Sequence, residues 1–258
     1  MPPTALITGA TAGLGASFAR RLAAEGYDLI LVARDADRLA STAQELAGRY
    51  GVTVDAVTAD LSTEEGIAAV EERLAGSAGP PVEMLVNNAG FGLNTGFTRS
   101  SVFDESRLIQ VNVLAVMRLT HAALPGMIAR GRGDVINVSS VAGFFAVMPG
   151  STYPATKAWV TNFSQSVAHS VRSAGVRVMA LCPGYVRTEF HQRAGINMSK
   201  TPNWAWLTAD TVVRAALRDL RRGTLVSVPD WKYKLAVGLG RHMPLALVRR
   251  VARDTRGR

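Results

Sequence analysis

A tyrosine and a lysine four positions apart are the residues of this sequence whose types and spacing most directly suggest chemistry. On a helix, Tyr153 and Lys157 would project from the same face, one turn apart. A phenol with its ordinary pKa of about 10 is a poor acid or base at neutral pH. A neighbouring ammonium favours the phenolate and lowers that pKa towards a range useful for proton transfer. Such pairs also arise by chance on solvated helices, so the meaning of this one depends on the elements around it.

The composition predicts a chain that can bury a large core without disulfides. It has 258 residues, of which 48% are hydrophobic, and a single cysteine, Cys182. One cysteine excludes an internal disulfide and a cysteine-rich metal site, and the apolar run around Cys182 predicts a small buried side chain. The opening residues pass directly into an apolar strand, which argues against a signal peptide, and no apolar run approaches the ~20 residues of a membrane span. We therefore expect a cytoplasmic protein without a bound metal.

The net charge of +9 is concentrated at one end of the chain. Residues 1–213 carry 17 Lys+Arg and 17 Asp+Glu, whereas residues 214–258 carry 12 basic and 3 acidic residues. The body of the chain is therefore neutral. The sequence predicts one catalytic domain over residues 1–229 and a basic C-terminal extension over residues 230–258.

Short apolar strands alternate with amphipathic helices along the body of the chain. Strands are predicted at 5–7, 28–33, 52–58, 84–86, 135–138, 176–181 and 224–228, with helices that include 35–50, 63–74, 103–130 and 153–174. Strands rich in Val, Ile and Leu between such helices indicate a mostly parallel sheet that is covered on both faces. The pattern predicts a single doubly wound α/β domain with seven strands.

Ligands of doubly wound sheets bind beyond the carboxyl ends of the strands, and a glycine-rich loop follows the first strand here. Its glycines at positions 9, 13 and 15 precede a helix whose N-terminal N–H groups can bind a pyrophosphate. The spacing differs from the G-x-G-x-x-G fingerprint, and the Lys-Ser/Thr of nucleotide hydrolases does not follow. Taken alone, the loop is equally compatible with a tight turn.

Six motifs in register resemble those of the short-chain dehydrogenase/reductase family. They are Thr8-Gly-Ala-Thr-Ala-Gly-Leu-Gly15, Asn87-Asn-Ala-Gly90, Asn112, Ser139-Ser140, Tyr153-x-x-x-Lys157 and Pro183-Gly184. The resemblance covers roughly residues 4–228 and implies a Rossmann-type fold. It also implies that Tyr153 is the proton donor or acceptor and that Lys157 lowers the Tyr153 pKa and binds the nicotinamide ribose. Ser140 would hold the substrate oxygen, and Asn112 would anchor a water of a proton relay.

The same resemblance implies a set of cofactor contacts in addition to the Tyr153 and Lys157 pair. These are Gly9, Thr11, Ala12, Gly13, Leu14, Gly15, Asp60, Leu61, Asn88, Ala89, Gly90, Pro183, Gly184, Val186 and Thr188. Ser140 is preferred to Ser139 as the catalytic serine because its spacing from Tyr153 matches the family. Alternation along a strand also turns neighbouring side chains to opposite faces, so Ser139 is expected to satisfy local backbone. A structural role for Asn112, bridging buried backbone groups, is compatible with its catalytic role.

The residue at the end of the second strand indicates the cofactor. An acidic residue there would bind a ribose 2′-OH and favour NAD, but this chain has Arg34, whose guanidinium suits a 2′-phosphate. The adjacent Asp35 is expected to cap the next helix. NADP-preferring members often carry a second basic residue where this chain has Ala12, which weakens the case. The sequence predicts NADP(H) rather than NAD(H), with Arg34 among its contacts.

Aromatic and methionine side chains collect in the segments expected around the nicotinamide. These segments are 91–93, 144–149, Tyr185 and a predicted lid over 187–207. Such side chains favour a small hydrophobic ketone or alcohol as substrate, although loop packing or a subunit contact would use the same residues. Arg187, Arg193 and Lys200 are either solvated charges or contacts to an anionic group of the substrate.

Two functions are compatible with these patterns. The favoured one is an NADP(H)-dependent carbonyl reductase or alcohol dehydrogenase, and the alternative is a non-catalytic NADP(H)-binding sensor or scaffold. The resemblance implies a homodimer or homotetramer that pairs through helices near 104–130 and 152–174. The extension, whose helical pattern is broken at Pro244, is predicted to cap the substrate cleft or to contact an anionic membrane peripherally. Its charge is not accompanied by a nucleic-acid recognition motif, so we expect no specific nucleic acid.

Overall fold

Seven parallel strands form one sheet in the order β3-β2-β1-β4-β5-β6-β7. The computed structural model describes residues 1–76, 79–145, 152–196, 198–199 and 201–242. The strands are β1 (Thr4–Thr8), β2 (Asp28–Ala33), β3 (Val54–Thr58), β4 (Val82–Asn87), β5 (Gly133–Val138), β6 (Val176–Leu181) and β7 (Val226–Ser227). The strand order reverses between β1 and β4, so the ligand crevice of such a sheet lies at the carboxyl ends of these two strands. The predicted doubly wound fold is confirmed.

Helices pack on both faces of the sheet and divide the core in two. The α-helices of the described residues are α1 (Gly13–Ala24), α2 (Ala36–Tyr50), α3 (Glu64–Leu74), α4 (Val102–Ile109), α5 (Ala115–Ala129), α6 (Tyr153–Val171), α7 (Phe190–Arg193), α8 (Ala209–Arg221) and α9 (Trp231–His242). One cluster joins Ile7 of β1 to residues of α1, α2 and α8, and the other joins Leu6 to residues of α3, α5 and α6. Neighbouring strand residues therefore serve opposite cores, as the pleat requires.

The local signals at helix starts act largely as expected. Asp35 caps α2, because its side chain accepts a hydrogen bond of 3.0 Å from the Arg38 N–H. The helix that carries the Tyr153 pair begins at Tyr153 itself, with Thr152 at the N-cap position. Pro154 is therefore the second helical residue. The N–H groups of the first turn have no intrahelical acceptor, so a proline at this position costs no helix hydrogen bond.

The helix expected over 103–130 contains a break that apolar periodicity does not reveal. α4 ends at Ile109, a π-helical turn covers Gln110–Leu114, and α5 continues from Ala115. A π turn inserts an extra residue and is often found at functional sites. This one carries Asn112, which is fully buried.

The same helical run is long and apolar enough to cross a membrane by length and composition alone. It extends over Val102–Ala129, and 44% of its most apolar window is buried within the protein. Leu119 and Met127 lie in the core cluster that covers one face of the sheet. Its apolar character is therefore explained in part by packing on the sheet.

Candidate active site

The loop after β1 approaches two other segments so closely that only glycine fits at three positions. Gly9 and Gly13 have φ of +65° and +54°, a region that L side chains rarely adopt. A Cβ at Gly15 would lie 2.1 Å from the Gly9 carbonyl oxygen, and one at Gly13 would lie 3.1 Å from the Thr188 side chain. The N-cap of α1, Ala12, makes no side-chain cap bond. The loop therefore presents a backbone cradle and a helix N-terminus suited to a pyrophosphate.

Asn88 links the end of β4 to the glycine loop by hydrogen bonds. Its amide Nδ2 donates to the carbonyl oxygens of Thr8 at 2.9 Å and Gly9 at 3.2 Å. The Thr8 hydroxyl accepts in return from the backbone N–H groups of Asn88 and Ala89, at 3.0 and 2.9 Å. Sequence reasoning missed Thr8, although a polar residue that ends a buried strand is a usable signal. The predicted cofactor residues Asn88 and Ala89 are thus held against the glycine loop that is predicted to bind the pyrophosphate.

An arginine and an aspartate meet at the ends of β2 and β3. Arg34 has a side chain that is 64% exposed, and its Nη1 lies 3.9 Å from Asp60 Oδ2. Burial opposes ionisation of Asp60, but hydrogen bonds from Ser62 and the charge of Arg34 outweigh it and lower the Asp60 pKa. The structure therefore brings the predicted cofactor residues Arg34 and Asp60 together, with the Arg34 guanidinium open to solvent. Leu61 beside them is buried.

The two serines at the end of β5 contact different groups of α6. Ser140 hydrogen-bonds to the Tyr153 hydroxyl and also accepts the Ala142 N–H at 3.1 Å. Ser139 is buried and donates to the Lys157 carbonyl oxygen at 2.6 Å. Ser140 is thus the serine beside the phenol, and Ser139 satisfies the backbone of α6.

Lys157 is buried beneath the Tyr153 ring. The residue is only 4% exposed, and its Nζ donates to the Val138 carbonyl oxygen at 2.9 Å. The same Nζ lies 5.7 Å from the centroid of the Tyr153 ring. Burial lowers the Lys157 pKa to about 8, because an apolar environment disfavours the ammonium.

The expectation that Lys157 depresses the Tyr153 pKa is wrong for this structure. Burial raises the pKa of Tyr153 to about 12, and the hydrogen bond with Ser140 only partly offsets that rise. The Lys157 ammonium donates to the Val138 carbonyl oxygen, and desolvation of the phenolate is the largest cause of the Tyr153 shift. Tyr153 is therefore a protonated phenol throughout the neutral pH range.

Asn112 joins the loop after β4 to α6. Its Oδ1 accepts the Phe91 N–H at 3.1 Å, while its Nδ2 donates to the Phe91 carbonyl oxygen at 3.0 Å and to Thr156 Oγ1 at 3.3 Å. A Cβ at Gly90 would lie 2.9 Å from Asn112 Oδ1 and 3.4 Å from Lys157 Nζ. The structural role foreseen for Asn112, bridging buried backbone groups, is thus visible here.

The buried carboxylate of Glu105 holds the start of α6. No local sequence pattern marks this residue. Glu105 of α4 is 6% exposed, and its Oε2 accepts from the Thr152 N–H at 3.1 Å and the Thr152 hydroxyl at 2.6 Å. The Ser100 hydroxyl donates to its other oxygen at 2.5 Å. Thr152 directly precedes Tyr153, so Glu105 fixes the helix end that carries the phenol.

The predicted lid reaches the phenol through one aromatic ring. The Phe190 and Tyr153 ring centroids are 5.8 Å apart, and a Cβ at Gly92 would lie 3.5 Å from the Phe190 ring. The residue before Phe190, Glu189, forms a bidentate pair with Arg38 of α2 at 2.7 and 3.2 Å. The Arg38 hydrogen bonds lower the pKa of Glu189 to about 2. This pair joins segments 151 positions apart, so sequence spacing carried no signal for it.

The remaining part of the segment borders a cavity of about 410 Å³. Its lining includes Thr188, Gln192, Ile196, Met198 and Trp206. Arg187 also lines it, but that guanidinium lies 5.3 Å from the Trp206 ring centroid and bonds to Asn203. Arg193 pairs with Glu189 at 2.6 Å. Both arginines are thus engaged within the chain, whereas Lys200 and residues 146–149 lie outside the described residues.

The Pro183-Gly184 turn is packed between two elements. The Pro183 carbonyl oxygen accepts the Val141 N–H at 3.0 Å, and a Cβ at Gly184 would lie 2.0 Å from the Tyr233 ring. Val186 forms an isolated parallel bridge with Leu207. Thr188, beyond this turn, lies against Gly13 of the glycine loop, so predicted cofactor residues that follow β1, β4 and β6 are brought together.

Comparison with known proteins identifies the family. The short chain dehydrogenase family model matches residues 3–198. The chain belongs to the short-chain dehydrogenase family. It is accordingly an oxidoreductase of CH–OH or C=O groups that uses a nicotinamide cofactor.

Other proteins are similar in sequence or in structure to this short-chain dehydrogenase over most of its length. It is 31% identical to a very-long-chain 3-oxoacyl-CoA reductase of Bos taurus, over 92% of this chain and 79% of the relative. A short-chain dehydrogenase from Sphingobium yanoikuyae in complex with NADPH is 38% identical, with a TM-score of 0.85 and coverage of 92% and 93%. A bulky-bulky ketone specific alcohol dehydrogenase from Comamonas testosteroni is 32% identical, with a TM-score of 0.80 and coverage of 94% and 95%.

Replacing the buried carboxylate tests how the phenol is positioned. Burial opposes the charge of Glu105, but hydrogen bonds from Ser100 and Thr152 lower its pKa below the ordinary 4.5. A lowered pKa stabilises the fold above about pH 4.5, and this stabilisation is lost as the pH falls through the native-state pKa. We expect Glu105→Gln to lower the free energy of unfolding by about 2 kcal/mol at pH 7 and by less below pH 4.

Urea unfolding at several pH values measures this difference. The control is Asp104→Asn, a less buried carboxylate on the same helix that does not contact Thr152, for which we expect a change within about 0.5 kcal/mol. Equal effects of the two substitutions at pH 7 would show that the Glu105 contacts do not hold Thr152.

Proposed function

We propose that this short-chain dehydrogenase is an NADP(H)-dependent carbonyl reductase of hydrophobic ketones, and an alcohol dehydrogenase in the reverse direction. The observation that carries the proposal is one cluster in which Tyr153 contacts Ser140, Phe190 and the buried Lys157. A bound nicotinamide cofactor would supply or accept the hydride. The protein's own groups would hold the carbonyl oxygen and provide the proton.

The residues present fit a dinucleotide. The glycine positions that a Cβ would block leave a backbone cradle beside the N-terminus of α1, and this cradle would hold the pyrophosphate. The residues proposed to hold the cofactor are Gly9, Thr11, Ala12, Gly13, Leu14, Gly15, Arg34, Asp60, Leu61, Asn88, Ala89, Gly90, Tyr153, Lys157, Pro183, Gly184, Val186 and Thr188. The exposed Arg34 guanidinium favours the 2′-phosphate of NADP(H), because bidentate guanidinium contacts suit a phosphate.

Proton transfer follows from the state of each group. With a pKa of about 12, Tyr153 is protonated at neutral pH, so it is ready to donate to the oxygen of a ketone under reduction. Ser140, already hydrogen-bonded to that hydroxyl, would hold the same substrate oxygen. Lys157 has a pKa of about 8 and is therefore largely cationic at pH 7, which favours negative charge developing on the phenol oxygen. Asn112 would anchor the water through which the proton is replaced.

The reduction direction is favoured for a simple reason. Cellular NADPH pools are usually reduced, so an enzyme that prefers this cofactor runs towards the alcohol. The solved relative with NADPH bound supports the cofactor assignment by likeness. We propose NADPH as the working cofactor, with NAD(H) bound more weakly.

A hydrophobic substrate is favoured by the side chains near the phenol. Phe190 lies against Tyr153, and Ile196, Met198 and Trp206 of the same predicted lid line a cavity. These side chains offer apolar surface and flexible packing to a substrate. Relatives named for bulky ketones and for very-long-chain 3-oxoacyl groups agree with this substrate class. Because Arg187 and Arg193 are engaged within the chain, an anionic group of the substrate is not favoured as an anchor.

We also propose that two copies pair through the faces of α4, α5 and α6. Several large apolar side chains of α4, the π turn and α5 are exposed, namely Val102, Phe103, Ile109, Leu114 and Met117. An exposed apolar patch of this kind marks an interaction surface. Gel filtration of the wild-type protein reports on this assembly.

Tyr153→Phe separates the enzyme from the sensor alternative. Removing the hydroxyl removes the proton donor, so we expect reduction of hydrophobic ketones by NADPH to fall about 100-fold or more. NADPH binding should persist, because Lys157 and the other proposed cofactor contacts remain in place. A spectrophotometric screen of aromatic, acyl-chain and polycyclic ketones, with NADPH titrations in parallel, measures both properties.

Tyr50→Phe, far from the cluster, serves as the matched control and should keep wild-type turnover. Full turnover by Tyr153→Phe would contradict the proposed mechanism. Intact NADPH binding without turnover of any ketone by the wild-type protein would favour the sensor or scaffold alternative.

Arg34→Asp tests the cofactor proposal. The exchange removes a bidentate phosphate contact and adds a charge that repels it, so we expect NADPH binding to weaken about 10- to 100-fold. NADH binding should hold or improve, because an aspartate can accept from a ribose 2′-OH. Fluorescence titration of both cofactors measures the ratio, with Arg49→Asp as a charge-matched control. Wild-type binding of NADH as tight as that of NADPH would overturn the preference.

A further inference from the structure

α9 packs one face on the domain and leaves the opposite face in solvent. The Tyr233 hydroxyl donates to the Ala205 carbonyl oxygen at 2.7 Å and accepts the Tyr185 N–H at 3.0 Å. Val237, one turn further along, is 7% exposed, and a Cβ at Gly184 would collide with the Tyr233 ring. These contacts fix the orientation of the helix against the Pro183-Gly184 turn.

The outward face of α9 is apolar. Trp231, Leu235 and Leu239 are 68%, 54% and 57% exposed. Their spacing of four residues, at about 100° per residue, places them within an arc of about 80° on the side away from Tyr233 and Val237. An isolated exposed leucine needs no explanation, but a contiguous apolar stripe on a fixed helix does.

A fourth large side chain extends this stripe. Trp204 is 65% exposed, and Lys232 of α9 joins it, because the Lys232 Nζ donates to the Trp204 carbonyl oxygen at 3.3 Å and lies 5.7 Å from the ring centroid. We call Trp204, Trp231, Leu235 and Leu239 the C-terminal apolar surface. It combines two tryptophans with two leucines, a composition typical of side chains at a membrane–water interface.

Positive charge borders this surface. Lys232 and Lys234 lie on either side of the stripe on the helical wheel, and residues 231–258 together carry 8 Lys+Arg and 1 Asp. A helix with an apolar stripe, basic flanks and low net hydrophobicity is the pattern of an interfacial helix. Each Lys or Arg near an anionic lipid surface strengthens binding roughly fivefold.

We propose that the C-terminal apolar surface docks on the headgroup region of an anionic lipid bilayer. The charge pattern argues against the other occupants. In a two-fold contact, each α9 would bring its basic segment against the identical segment of the second copy, which repels it. The residues after α9 carry arginines in excess, so folding them back over the stripe would add positive charge beside Lys232 and Lys234. Anionic lipid satisfies both the apolar and the basic part of the surface.

Docking would bring the predicted lid close to the bilayer. Trp204 belongs to the segment 187–207, and Phe190 of that segment lies against the Tyr153 ring. A hydrophobic substrate dissolved in lipid would therefore reach the site near the membrane surface. This consequence rests on the proposed function, whereas the docking itself does not.

Vesicle flotation of the full chain tests the proposal. We expect the wild-type protein to float with vesicles of phosphatidylcholine and phosphatidylglycerol in equal parts and to stay behind with phosphatidylcholine alone. The variant Trp231→Ser/Leu235→Ser/Leu239→Ser should lose at least tenfold in partitioning, because it removes most of the apolar area that would enter the interface. The matched control, Phe97→Ser/Ile128→Ser, removes exposed apolar side chains elsewhere and should float as the wild type does.

Thermal unfolding and NADPH binding confirm that each variant is folded, and neither readout depends on turnover. Loss of ketone reduction with flotation intact would therefore contradict the proposed function and leave the docking proposal supported. Flotation of the triple variant at the wild-type level would overturn the docking proposal. So would equal binding to neutral and anionic vesicles, absence of wild-type flotation at low salt, or a triple variant whose only change is a smaller assembly on gel filtration.

Discussion

The burial of the Lys157 ammonium against the Val138 carbonyl oxygen is the constraint on which the candidate site depends. Removing a charge from water is costly unless it is hydrogen-bonded, and here the cost is seen as a pKa lowered to about 8. Two glycines allow close packing around this lysine. A Cβ at Gly143 would lie 2.7 Å from the Lys157 carbonyl carbon, and one at Gly90 would lie 2.9 Å from Asn112 Oδ1. The loops after β4 and β5 can thus approach the π turn and α6 only because these positions lack side chains.

Segments far apart in the chain converge on the helix that carries this lysine. Glu105 holds the residue before Tyr153, Ser139 donates to the Lys157 carbonyl oxygen, and Asn112 connects Thr156 to the loop after β4. Each contact satisfies a buried polar group, which would otherwise destabilise the fold. The position of the phenol is therefore a property of the whole crevice, because it depends on β5, the π turn and α4 together with α6.

Local rules explain how much of this could be predicted from the sequence. Strand and helix periodicity gives the sheet, the Asp35 cap follows from its place before a helix, and strand alternation separates Ser140 from Ser139. The Arg38–Glu189 pair joins positions 151 residues apart, so no local pattern marks it. The π turn has the same apolar content as the helix around it. The direction of the Tyr153 pKa shift depends on burial, which spacing does not report.

The protonation state of Lys157 is the most direct test of this account. An NMR titration of the full chain, labelled at lysine and assigned with Lys157→Arg, follows the Lys157 side-chain signals from pH 6 to pH 11. We predict a titration midpoint of the Lys157 amine near pH 8, because the amine is buried against the Val138 carbonyl oxygen. A midpoint at the ordinary value of 10.5 would contradict it, since the ammonium would then be solvated and the crevice would not close around it.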